Sequence, residues 1–173
     1  MHARIRRIRS RRRLRRLLQF HHFRKDERGI QLVELSIVIP VFLLLFAAAA
    51  EFGRYFYEYT TLAKAARVGA RYLTTARVTT AEDTIAKNII VYGNPAGTGS
   101  PIIKGLQPSH IVITRAGGIP LVPQTVKVEF VGYKHQPIFD LGALTKTAGL
   151  SLNVDVKPSV TMRYLLSTPP PLL

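Results

Sequence analysis

The longest apolar stretch of the chain runs from Ile30 to Ala50, 21 residues in which Glu34 is the only charge. At a rise of about 1.5 Å per residue, a helix of that length crosses the hydrocarbon core of a bilayer. Its second half, VFLLLFAAAA at 41–50, is apolar on every face, and a chain of 173 residues could hardly surround it. The pattern predicts a transmembrane helix over 30–50. A cleaved secretory signal competes with this reading, because the alanines before Glu51 offer a small-residue cleavage region. Against it, Phe52, Tyr55, Phe56, Tyr59, Leu62, Ala63, Ala66, Gly69, Ala70 and Leu73 recur every three or four residues. They predict one continuous helix to about Thr75, with this stripe on one face. Glu51, Arg54, Glu58, Lys64, Arg67 and Arg71 then fill much of the opposite face, and Arg54 can pair with Glu58 at i, i+4. Pro40 removes one backbone donor and frees the carbonyl of Ser36, which predicts a kink, with the Ser36 hydroxyl a group able to answer that carbonyl.

After TTARVTT, the segment AEDTIAKNIIVYG predicts a shorter helix with Thr80 as N-cap, Glu82 and Asp83 in the first turn, and Gly93 as the stop. Residues 94–109 read as loop, and their G-x-G-S lacks the flanking strand and helix that phosphate binding requires. Beyond them the period changes to two. HIVITRA (110–116) and TVKVEFVGY (125–133) alternate apolar with polar residues around the long hairpin connection GGIPLVPQ, and LSLNVDVK and SVTMRYLL flank Pro158 as two further strand candidates. QPIFDLGALTKTAG between them reads as loop with one possible helical turn. The expected fold class is α+β: a long N-terminal helix, transmembrane in its first half and amphipathic in its second, packed on a small antiparallel sheet of three to four strands. The corresponding organisation is a basic leader (1–29), a span (30–50), the amphipathic continuation and second helix (51–92), a β-rich domain (93–166) and an extended tail (167–173).

Charge sharpens this division. Residues 1–29 hold twelve of the twenty-five Lys and Arg against Asp26 and Glu27, so +10 of the formal +15 belongs to the leader. The basic balance therefore describes an arm rather than the folded part, which weakens a nucleic-acid reading of the whole chain. Short basic flanks stay cytoplasmic, so the C-terminal domain is expected to be exported. The arm itself admits three readings: contact with anionic lipid, an organelle transit peptide, or phosphate binding. Its attachment to a membrane span favours anionic lipid, and no nucleic-acid partner is expected. The absence of cysteine excludes disulfides and thiolate chemistry. Past the span, Glu51, Glu58, Glu82, Asp83, Glu129, Asp140 and Asp155 form no pair at catalytic spacing. His110 and His135 lack a second ligand at i+2 or i+4. No catalytic residue, metal site or cofactor is expected, and the chain does not read as an enzyme.

Glu34 is the remaining anomaly. An acid inside a span costs about 2.5 to 3.5 kcal/mol at the bilayer centre and less toward the edge, so it signals function unless it snorkels to the headgroups. It stands fifth after Gly29, counting Ile30 as the first, behind a basic leader ending in Arg28 and Gly29. This arrangement resembles the type III signal of bacterial and archaeal pilins. Cleavage after Gly29 would create an ammonium on Ile30 able to neutralise a carboxylate in a helix bundle. The longer stretch RGIQLVELSIVIPVFLLLFAAAAEFGRYF resembles the TadE-like family, minor pilins or pseudopilins of the tight-adherence (Flp-type, type IVc) pilus. Gly29, Glu34, mid-span Pro40 and the exit triplet Glu51, Phe52 and Gly53 occupy the family's places. AARVGARYLTTA is similar to its small-residue continuation, and VKVEFVGYKHQPI with LSLNVDVKPSVTMRY to its closing strands. Leu35 departs from the family's usual aromatic after the Glu, and the leader is long. The resemblance implies a prepilin-peptidase substrate processed at Gly29 and Ile30, with Glu34 pairing to a neighbouring subunit. Its implied partners are other pilins or pseudopilins, the inner-membrane assembly platform and the peptidase. The alternative is a subunit of another membrane complex whose Arg-rich start serves targeting or lipid binding.

Overall fold

The computed structural model describes residues 27–140, 142–143 and 146–168. The expected leader up to residue 26, and the tail beyond residue 168, lie outside the described residues. The chain divides into two units, Met1–Phe46 and Ala47–Leu173.

Helix α1 spans Glu27–Leu73 and contains Pro40. Within the first unit, every described side chain from Gly29 to Phe46 is exposed. Among the described residues, nothing covers this apolar surface. The Ser36 hydroxyl donates to the carbonyl of Val33 at 2.7 Å, so it bonds to the preceding turn rather than to its own freed carbonyl.

The second unit buries one face of α1, and that face differs from the expected one. Leu62, Ala66, Ala70 and Leu73 are fully buried, as the stripe predicts, but Phe52, Phe56 and Tyr59 are exposed. Glu51 is buried instead, and Glu58 is half-buried. Positions 51, 55, 58, 62, 66, 69 and 73 form one line at helical spacing, so the docked face begins with carboxylates and ends with aliphatics. Arg54 pairs with Glu51 at 3.2 Å, one turn behind it, rather than with Glu58.

Helix α2, Thr80–Tyr92, packs Ala86, Ile90 and Val91 into the same core. Its N-cap is Thr79, not Thr80: Thr79 has extended backbone and its hydroxyl accepts the N–H of Glu82 at 3.3 Å. The reason is spacing, because a capping hydroxyl serves the N–H three residues on, and Thr79-Thr80-Ala81-Glu82 is the S/T-x-x-E arrangement. Gly93 ends the helix in the left-handed conformation at φ 74°, as expected for a C-cap glycine. Gly69 is where α1 and α2 meet: a Cβ there would lie 2.3 Å from Ile90 Cγ1.

Three strands, β1 (Ile111–Ala116), β2 (Thr125–Phe130) and β3 (Ser159–Arg163), form an antiparallel sheet in the order β1-β2-β3. The α+β class is therefore as expected, with a long N-terminal helix and a small three-stranded sheet. Alternation places Val126, Val128 and Phe130 of the central strand in the core. The segment LSLNVDVK is not a strand. Among the described residues it pairs through one isolated bridge, Lys134 with Asp155, flanked by His135 N–H to Val154 O (3.0 Å) and Val156 N–H to Tyr133 O (2.9 Å). The N–H of Val154 turns back to the carbonyl of Leu152 at 2.7 Å, which takes the backbone out of a continuing ladder.

Candidate functional site

The residues singled out by sequence fall in two places. Gly29, Ile30, Glu34 and Pro40 lie in the first unit, all exposed on α1, with Ile30 and Glu34 one helical turn apart. Among the described residues no hydrogen bond or ion pair reaches Glu34. Its chemistry as seen here is that of an acid carried on an apolar helix surface.

Glu51, Phe52 and Gly53 lie in the second unit, and Glu51 is the centre of a polar cluster. Its Oε1 accepts the backbone N–H groups of Ile138 and Phe139, each at 2.9 Å. Its Oε2 faces Arg54 Nη1 at 3.2 Å and His135 Nε2 at 3.4 Å. Burial alone would raise this carboxyl. The N–H groups of Phe139 and Ile138, with Arg54 and His135, outweigh it and hold Glu51 below the ordinary carboxylate value. His135, with no exposed surface, places Nδ1 2.8 Å from Glu58 Oε2, so its ring lies between the two carboxylates. Both ring nitrogens donate only in the imidazolium, whereas a neutral ring donates to one glutamate. Tyr55 meets the imidazole edge to face at 5.7 Å between ring centroids. The Tyr133 hydroxyl faces Glu58 Oε2 and the Lys104 carbonyl, both at 3.4 Å. Burial, then the nearby Glu58 charge, pushes Tyr133 up to about 12.

This cluster is inaccessible at its centre, and its groups are directed at one another and at the backbone of the 134–140 loop. Its geometry is that of a latch between α1 and that loop. Among the described residues no set of three His, Cys, Asp or Glu side chains could hold a metal ion. Sequence reasoning picked out Glu51 through the family pattern but did not bring Glu58 or His135 to the same site. The seven-residue spacing of Glu51 and Glu58, which puts them on one helix face, was a visible signal. Their partner, 84 and 77 residues away, was not.

Phe52 is half exposed, and a side chain at Gly53 would meet open space. Among the described residues, α1 is the single helix long and apolar enough to cross a membrane. Comparison with curated proteins and with solved structures finds no match. Residues 29–71 do match the family model described as TadE-like protein, the same family that the pattern of Gly29, Glu34, Pro40 and Glu51-Phe52-Gly53 resembles.

Proposed function

We propose that the chain is a TadE-like pseudopilin, a membrane-anchored structural or assembly component of a tight-adherence (Flp-type) pilus that acts by helix packing. The observation that carries this reading is the family match over 29–71, which coincides with the one membrane-length helix among the described residues. The likeness points to a Tad pilus-associated membrane component, and one apolar helix suits single-pass anchoring.

In this reading a prepilin peptidase hydrolyses the Gly29–Ile30 amide, leaving a carboxylate on Gly29 and an ammonium on Ile30. Gly29 sits in the first turn of α1, so that turn must open for cleavage, and glycine lowers the cost of leaving the helix. The new ammonium neutralises Glu34 of a neighbouring subunit, which sets the axial register of packed helices. Other pilins or pseudopilins and the inner-membrane assembly platform are the partners of the exposed apolar face, and anionic lipid meets the basic leader. The N-terminus is cytoplasmic and the β-rich domain exported.

Sequencing the N-terminus of the membrane-extracted protein tests the reading. The expected result is a mature chain beginning at Ile30, abolished by Gly29→Ala; retention of Met1 with normal pilus assembly would remove the processing step.

A further inference from the structure

The Glu51 latch has a second consequence, because of where it holds the loop. Glu51 directly follows the apolar run that ends at Ala50, and its carboxylate grips the backbone of Ile138 and Phe139. The loop is braced on both sides. His135 before it is fixed by its ring contacts and by its N–H to Val154 O, and Asp140 after it accepts the N–H groups of Gly142 (2.9 Å) and Ala143 (3.3 Å). Yet the two side chains at its tip point away from the core: Ile138 is 78 % exposed and Phe139 50 %. Phe52 and Phe56, on the first turns of α1 beyond the run, are also exposed.

Four large apolar side chains are thus presented where the apolar run gives way to polar sequence. That is the level at which a bilayer changes from hydrocarbon to headgroups, and where aromatic side chains are favoured. We propose that the Pro137–Phe139 tip is a second membrane-contact element, inserting Ile138 and Phe139 into the interface of the leaflet from which the span emerges, at the helix level where Phe52 and Phe56 are also exposed. The bilayer is favoured over another subunit because the tip is hydrogen-bonded to Glu51, the residue directly after the apolar run, so anchoring that run brings the tip toward the lipid. The proposal rests on the single-span reading given above. Its consequence is that the exported domain is held against the membrane at two places rather than one, which restricts its rotation about the helix.

The chain has no tryptophan, so a single one reports its own surroundings. Phe139→Trp, Leu44→Trp in the span and Leu121→Trp in the β1–β2 connection are each made in the full chain. Each is reconstituted in phosphatidylethanolamine and phosphatidylglycerol vesicles whose acyl chains are brominated near the headgroup end. The expected result is blue-shifted emission at position 139, quenched several-fold more strongly than at position 121. Quenching at 44 without quenching at 139 overturns the proposal and leaves the anchoring reading standing, whereas quenching at neither overturns both. Equal quenching at 139 and 121 means general adsorption and also overturns it. So does a blue shift at 139 that is insensitive to bromine and grows with protein density, since the tip is then covered by a second copy.

Discussion

Glu51 illustrates how a position that the sequence places on a charged helix face just past the apolar run acquires a structural task. Its carboxylate accepts two backbone N–H groups from a loop 87 and 88 residues away, and it faces both a guanidinium and an imidazole. Glu51→Ala leaves those donors without an acceptor, so unfolding of the detergent-solubilised chain in urea should show a loss of about 1–3 kcal/mol. Glu51→Gln keeps one carbonyl acceptor and should lose less. Equal stability of all three would mean that water replaces the latch without cost. Tyr133 makes a pH-dependent contribution. Its folded value of about 12 lies above the ordinary 10, so the folded state holds its proton longer than the unfolded one. Its contribution is fully present below pH 10 and is lost as pH rises toward 12. Wild type should therefore lose more stability over that window than Tyr133→Phe, as denaturation midpoints at the two pH values would show. At Glu34 the expectation concerns assembly: Glu34→Ala should insert and be cleaved but fail to co-purify with pilus partners. Unchanged co-purification would mean that the carboxylate merely snorkels. Glu51 stood out in the sequence because its spacing from Gly29 and Glu34 along one helix carries the resemblance. His135 did not, because its importance comes entirely from the two glutamates that fold onto it.

Among the elements, the helices show how far local pattern reaches. The extent of α1 and the stop of α2 at Gly93 follow from periodicity and capping chemistry, and even the displaced N-cap agrees with the T-x-x-E spacing once Thr79 is considered. Which face of α1 is buried does not follow in the same way. A stripe of Phe52, Phe56 and Tyr59 has the apolar period, but the 134–140 loop presents an imidazole and two N–H groups at that level, and carboxylates satisfy them where aromatics could not. Deeper in the core the apolar pattern is followed, and close approach sets the detail. Gly69 lets α2 lie against α1 with no room for a side chain beside Ile90. Gly69→Val should destabilise the chain by about 1–3 kcal/mol through overpacking. Ile90→Ala in the same chain should recover part of that loss, and a double-mutant cycle with no coupling would contradict the contact.

Across the whole molecule, the unequal placement of charge and apolar sequence is what the proposed orientation rests on. With a basic leader before the span, protease added outside intact cells or spheroplasts should digest the β-rich domain and spare the leader. Protection of the domain would reverse the proposed orientation. The span, the order of the helices, the change from helical to two-residue period and the absence of thiol chemistry were determined by the sequence alone, because each is written in neighbouring residues or in composition. Only the tertiary structure decided that three of four strand candidates join the sheet, that Glu51 and Glu58 turn inward, and that the backbone N–H groups of Ile138 and Phe139 meet Glu51. Those outcomes depend on pairings between groups tens of residues apart, whose energies exist only once the chain has brought them together.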